Sequence, residues 1–178
     1  MADHPADDEW FAALCERIRA AVPVPGASLD RRAALAVHEA AHALVDHANG
    51  LCVSSVSLDD LEGRANASAT GAAVEAVLDG GTPEAAARFI RGAVAGIVAE
   101  AMVTNAPLWP HAYADLVFAR DFAEAACDSD GKVGALLVQC IEDAKRTLLA
   151  RWRTVLAVAE LLSERGEIAG AELEAMLG

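Results

Sequence analysis

Residues 38–42 read His-Glu-Ala-Ala-His. Two histidines four positions apart on a helix stand on the same face, one turn from each other. That separation lets both imidazoles reach one ion at about 2.0–2.1 Å. Glu39, directly after the first histidine, falls beside such an ion without being needed as a ligand. It can accept a proton from water there. With 5 His and 14 Glu in 178 residues, chance supplies about 0.01 matches to this pattern. An ordinary solvated face would not surround three polar groups with Leu35-Ala36-Val37 and Ala43-Leu44-Val45. A metal centre is the better reading.

A catalytic zinc ion takes three protein ligands and keeps one position for water. Candidates for the third are Asp46 and His47 on the same helix, Asp59, Asp60 and Glu62 just beyond it, and Glu100, His111 and Asp115 further along. Asp46 shares the face of the histidines but lies one turn beyond them. Spacing does not rank the rest.

The elements that must position these residues are mainly helical. Asp7 to Ala21 is amphipathic, with Trp10, Phe11, Leu14 and Ile18 at helical spacing, and Pro23, Pro25 and Gly26 end it. The histidine helix starts at a cap from Ser28 or Asp30 and stops at Asn49-Gly50, about five turns later. Cys52 to Leu58 alternates and reads as a strand. The polar stretch Asp59 to Ser68 reads as a turn, and Ala69 to Leu78 as a second strand completing a hairpin, closed by Gly80-Gly81. Thr82-Pro83-Glu84 opens a helix to about Thr104. Another runs from near Pro110 to about Ala126 and carries Asp115. A long one spans Val133 to about Glu164, and a short one Ala169 to Leu177 closes the chain. Without a repeat or a composition break, residues 1–178 read as one domain, with 1–27 an N-terminal helix and linker.

Composition agrees. Hydrophobic residues make up 54% of the chain, but 42 of them are alanine and aromatics are only 4%. Alanine loses no side-chain entropy in a helix, so a small-residue helical core is expected. The formal charge of −13, from 14 basic and 27 acidic residues, disfavours nucleic acid and anionic membrane surfaces as partners. The first ten residues are acidic, with no apolar run to form a signal peptide. The most apolar stretch, Phe89 to Val103, carries Arg91 and Glu100 and falls short of the roughly 18 clean residues of a membrane span. A soluble, cytoplasmic protein is expected. Cys15, Cys52, Cys127 and Cys140 contain no C-x-x-C pair, which predicts reduced thiols acting as small buried hydrophobes. Gly131-Lys132-Val133 lacks the rest of a phosphate loop, and residues 128–131 are too short for a calcium loop.

HEAAHALV resembles the zinc motif of the FtsH-type membrane AAA+ metalloproteases, which reads HEAGHA. AGIVAEAMV (95–103) is similar to that family's GGRAAE helix. ADLVFARDFAEAA (114–126) is similar to its D-L-x-x-A-x-x-x-A segment, with Asp115, Ala119 and Ala123 in register. Residues 141–177 look like its C-terminal helices, including a closing pattern at Ile168-Ala169-Gly170-Ala171-Glu172. The resemblance covers residues 28–177. It implies a mainly α, FtsH-protease-like bundle with a small antiparallel hairpin beside the histidine helix. It makes His38, His42 and Asp115 the zinc ligands, Glu39 the general base and Glu100 a carboxylate that orients a ligand histidine. Thr70, Gly71, Ala72, Ala73 and Val74 match its substrate-edge strand. Ala41 stands where the family has glycine and Ile97 where it has arginine, and these 178 residues contain neither its ATPase module nor its transmembrane helices.

The activity so implied is zinc-dependent hydrolysis of peptide bonds in flexible or unfolded polypeptides. The competing expectation is a non-proteolytic binding or assembly module that keeps the fold. A AAA+ ATPase supplied by another chain and a homo-oligomer are the further partners the resemblance raises.

Overall fold

Asp30 starts the central helix. Its carboxylate accepts a hydrogen bond from the Ala33 N–H at 2.9 Å, capping α2 (Arg31–Ala48). Of the two cap candidates it is Asp30 that serves, because the Ser28 hydroxyl is engaged with Thr104 Oγ1 at 2.9 Å. Gly50 takes the left-handed conformation, with φ of 75°, just after the C-cap Asn49. That glycine turns the chain away as its sequence position predicts.

The computed structural model describes residues 5–22, 28–58, 63–68, 71–105 and 113–178. Around α2 stand α1 (Pro5–Ala21), α3 (Gly71–Leu78), α4 (Pro83–Val103), α5 (Tyr113–Ala126), α6 (Asp130–Ala150), α7 (Trp152–Arg165) and α8 (Gly170–Leu177). Three short strands complete the described residues: β1 (Cys52–Leu58), β2 (Gly63–Ser68) and β3 (Glu167–Ala169). They form an antiparallel sheet in the order β2-β1-β3, which lies against α2. The fold is thus mainly α with a small antiparallel sheet beside the histidine helix.

Small residues let the helices approach closely. On α2, Ala34, Ala36, Ala40, Ala41 and Ala43 are buried; on α4, Ala86, Ala87, Ala95, Ala99 and Ala101. Larger side chains fill the remaining space, among them Leu44, Ile90, Ile97, Leu116 and Phe122, all fully buried. Ile97 is therefore a core residue. Thr82 caps α4 by accepting from the Ala85 N–H at 3.2 Å, with Pro83 in the first turn. α2 touches α4, α6, α7 and the sheet, so its apolar residues are enclosed on several sides.

Three expectations need correction. The second strand is not Ala69–Leu78: residues 71–78 form α3, and the partner of β1 is Gly63–Ser68, in the stretch read as a turn. Alanine-rich 71–78 follows its helical propensity, while 63–68 becomes a strand by pairing with β1 rather than through β-branched residues. The long helix read from Val133 to Glu164 is two helices, broken at Arg151, whose backbone leaves the helical region (φ −125°, ψ 25°). Finally, all four cysteines are free, but only Cys140 is buried; Cys52 is exposed and Cys15 and Cys127 are half-buried. No helix among the described residues is long and apolar enough to cross a membrane.

Removing the cap on α2 tests its role in setting where the histidine helix begins. Asp30→Ala is expected to cost about 1 kcal/mol of stability, read as a lower denaturant midpoint at unchanged slope.

Candidate metal centre

His38 and His42 project from the middle of α2, and Asp115 from the first turn of α5. The fold brings them together although 73 positions separate His42 from Asp115. His38 Nε2 lies 3.1 Å from Asp115 Oδ2, His42 Nε2 lies 3.3 Å from the same oxygen, and the two Nε2 atoms are 2.9 Å apart. Both imidazoles are buried, while the Asp115 side chain is 29% exposed and forms the open side of the site.

The outer ring nitrogens fix how the rings point. His42 Nδ1 lies 2.7 Å from the carbonyl oxygen of Gly92. A carbonyl only accepts, so Nδ1 carries the hydrogen. His38 Nδ1 lies 3.1 Å from Glu100 Oε2 in a buried pair, and by the same reasoning donates to the carboxylate. Both neutral rings therefore turn a bare Nε2 lone pair inward, towards a carboxylate oxygen that is also an acceptor. Three acceptors meet with no proton of their own between them. Only a cation relieves this, either an added proton or a metal ion.

The separations suit a metal. Ligands bound tetrahedrally at about 2.0–2.1 Å lie about 3.3–3.4 Å from one another; here they lie 2.9, 3.1 and 3.3 Å apart. Gly96 supplies a second observation. A Cβ built there would overlap Nε2 of both His38 and His42, so this glycine of α4 keeps clear the space in front of the two donor atoms. His38, His42 and Asp115 thus form a group able to hold a metal ion, with Glu100 and the Gly92 carbonyl holding the two rings from behind.

In the absence of metal the same group traps protons. Burial works against an imidazolium at His42, but the Asp115 carboxylate overrides it and raises the ring's pKa to about 10. His38 moves in the same direction: burial opposes the charge, and the hydrogen bonds to Asp115 and Glu100 outweigh it. Burial would raise Asp115, yet the two histidines, His42 foremost, hold it well below the usual carboxylate range.

Glu39 is 5% exposed, and its charge acts on both imidazoles. Asp46 does not join the ligand group. Its carboxylate lies against Gly92 one turn beyond His42, where a Cβ on that glycine would overlap Oδ1. Burial raises its pKa to about 6. His47 is likewise outside the group. Asp59, Asp60, Glu62 and His111 lie outside the described residues, as does Thr70. Gly71, Ala72, Ala73 and Val74 sit on a helix rather than on the strand edge expected of them. Gly92 and Gly96 were not singled out from the sequence as site residues. Their contribution is an absent side chain and, for Gly92, a backbone oxygen; neither leaves a motif.

Two outcomes follow from this geometry. Gly96→Ala is expected to lower zinc affinity at least tenfold by competition titration, whereas Gly131→Ala, which meets open space, leaves it unchanged. The second concerns pH. In chelator-treated protein, the raised His42 contributes stability that is complete below its ordinary value of 6.5 and is lost as pH rises through about 10. The lowered Asp115 contributes above its ordinary 3.8, and its share fades as pH falls towards its native value. Asp46, raised to about 6 by burial, contributes fully below its ordinary 3.8, and that share is lost by about 6. Stability should therefore decline from about pH 4 to 6 and again between 6.5 and 10. Zinc affinity should rise over that upper range, with protons released on binding, as calorimetry in buffers of different ionisation enthalpy would register.

No protein-family model and no curated protein matches this chain, so what the site does is read from its own geometry.

Proposed function

We propose that this chain is a zinc-dependent metallopeptidase, as its resemblance to the FtsH-type proteases implies. The observation that carries the proposal is the meeting of His38 Nε2, His42 Nε2 and Asp115 Oδ2 within 3.3 Å, with a buried carboxylate, Glu39, beside them. Two imidazoles and one carboxylate are a donor set that zinc favours in hydrolytic sites, with one coordination position left open.

Zinc held there would supply Lewis acidity, polarising a scissile carbonyl and bringing the pKa of water towards about 7. The remaining work falls to the chain's own residues. The Glu39 carboxylate accepts a proton from the attacking water and passes it to the leaving amine nitrogen. Burial keeps this carboxylate from being solvated away from its task. Glu100 and the Gly92 carbonyl hold the two rings in the tautomer that faces inward. Gly96 preserves room at the donor atoms.

The substrate is a flexible or unfolded polypeptide. Both histidines are buried and the opening lies on the Asp115 side, so an extended strand reaches the site more readily than a folded surface. Because β2 is an outer strand of the sheet, it offers backbone groups along which such a strand can pair. This replaces the edge expected at Thr70–Val74. A AAA+ ATPase on another chain would be the means of feeding it folded substrates.

A second reading, a non-proteolytic binding module, draws support from that same correction: residues 71–74, similar in sequence to a substrate-edge strand, are helical. The two readings part on one experiment. Purified protein should carry about one zinc per chain and cleave casein or an unfolded peptide library. Glu39→Gln should reduce the rate by at least about 100-fold while retaining the metal. Stoichiometric zinc without cleavage of any unfolded substrate would favour the binding module. Cleavage that survives Glu39→Gln would remove Glu39 from the mechanism.

A further inference from the structure

α1, the helix that lies ahead of the stretch resembling the proteases, contacts both the C-terminal end of α4, which carries Glu100, and the first turn of α5, which carries Asp115. On the near side, the Arg19 guanidinium donates to the Thr104 carbonyl at 2.7 Å. Thr104 is the C-cap of α4, and its N–H donates to the Glu100 carbonyl at 3.0 Å. The chain leading into α2 secures the same corner. Ser28 Oγ lies 2.9 Å from Thr104 Oγ1 and accepts from the Asn105 N–H at 3.3 Å, while the Leu29 N–H donates to the Val103 carbonyl at 2.9 Å.

On the far side, buried Phe11 packs its ring against Tyr113, with centroids 4.8 Å apart. Tyr113 opens α5 two residues before Asp115. Further along α5, the Arg120 guanidinium lies 5.3 Å from the Trp10 ring centroid and 5.7 Å from that of Phe11. Cys15 lies between the two grips, close enough to Arg19 and Glu100 for both charges to act on its thiol.

The importance of these grips comes from what they flank. Glu100 and Asp115 contact opposite nitrogens of one ring, His38, each at 3.1 Å. They arrive on two different helices, so a shift of either helix end breaks one contact while leaving the other. A third body bound to both ends removes that freedom. We propose that α1 is a splint for the metal site, with Arg19 and Phe11 as positioning residues that keep Glu100 and Asp115 on opposite sides of His38. The inference rests on the metal-centre reading above.

The test measures zinc affinity by competition with a chromophoric chelator, and the visible d–d spectrum of the cobalt-substituted protein, which reports coordination rather than overall folding. Arg19→Ala should weaken zinc binding roughly tenfold, the low end of the effect of outer-layer partners, and should move the cobalt spectrum towards a weaker, higher-coordinate form. Arg19→Lys, which restores a cationic donor, should recover most of both. Phe11→Leu should act in the same direction as Arg19→Ala. Arg165→Ala, which breaks only an exposed ion pair with Glu172, should change neither. Should Arg19→Ala fail to fold, Arg19→Gln takes its place, keeping a donor without the charge. Wild-type affinity and an unchanged cobalt spectrum in the Arg19 and Phe11 variants would overturn the splint while leaving the metal centre intact. A wild-type chain that takes up no zinc would overturn both.

Discussion

Three hydrogen-bond acceptors pointing at one another without a shared proton are an unstable arrangement in a protein interior. That would be the condition at His38 Nε2, His42 Nε2 and Asp115 Oδ2 without a bound proton or metal ion, and the groups around them keep the three atoms facing one another. The backbone oxygen of Gly92 and the carboxylate of Glu100 occupy the outer ring nitrogens, so neither ring can turn its N–H inward. The large rise in the pKa of His42 and the fall at Asp115 are the same tension expressed as proton affinity. A divalent cation answers it more completely than one proton, since it satisfies all three atoms together.

Holding that tension requires a stiff scaffold at close range. Small residues on α2 and α4 provide it. Alanines let the two helices come together, and at Gly92 and Gly96 even a methyl group would collide with Asp46 or with the imidazoles. The alanine content that first appears as a bias of composition is thus tied to the spacing of the site. A core of larger side chains would hold the helices further apart, and Glu100 and Gly92 would no longer reach the rings. The exposure of the Asp115 side chain has the complementary role: the least enclosed of the three groups marks the open side of the site.

Much of this was legible before the fold. The His-Glu-x-x-His spacing, the cap at Asp30, the stop at Asn49-Gly50 and the opening at Thr82-Pro83 are local signals with local causes, and each lies where its chemistry predicts. The choice of Asp115 as third ligand came from family resemblance alone; spacing left it level with several other carboxylates. Alanine-rich 71–78 keeps the helical preference of its residues, against the strand expected there; elsewhere the local signal is weak or absent. Gly63–Ser68 has no β-branched residue, yet it pairs with β1 along its length, and the break at Arg151 has neither proline nor glycine to announce it. Gly96 was illegible for another reason: it serves by what it lacks, and which atoms would fill that gap depends on a neighbouring helix.

The same dependence on distant contacts separates the chemistry of the site from its motif. His38, Glu39 and His42 lie within five consecutive residues, but the groups that aim and complete them come from α4 and α5. X-ray absorption at the zinc edge of the metal-loaded protein tests this most directly. The account predicts a first shell of nitrogen and oxygen only, at about 2.0–2.1 Å, with multiple-scattering features of two imidazoles. Sulfur at about 2.3 Å, which would bring in one of the four free cysteines, or a single imidazole, would contradict it.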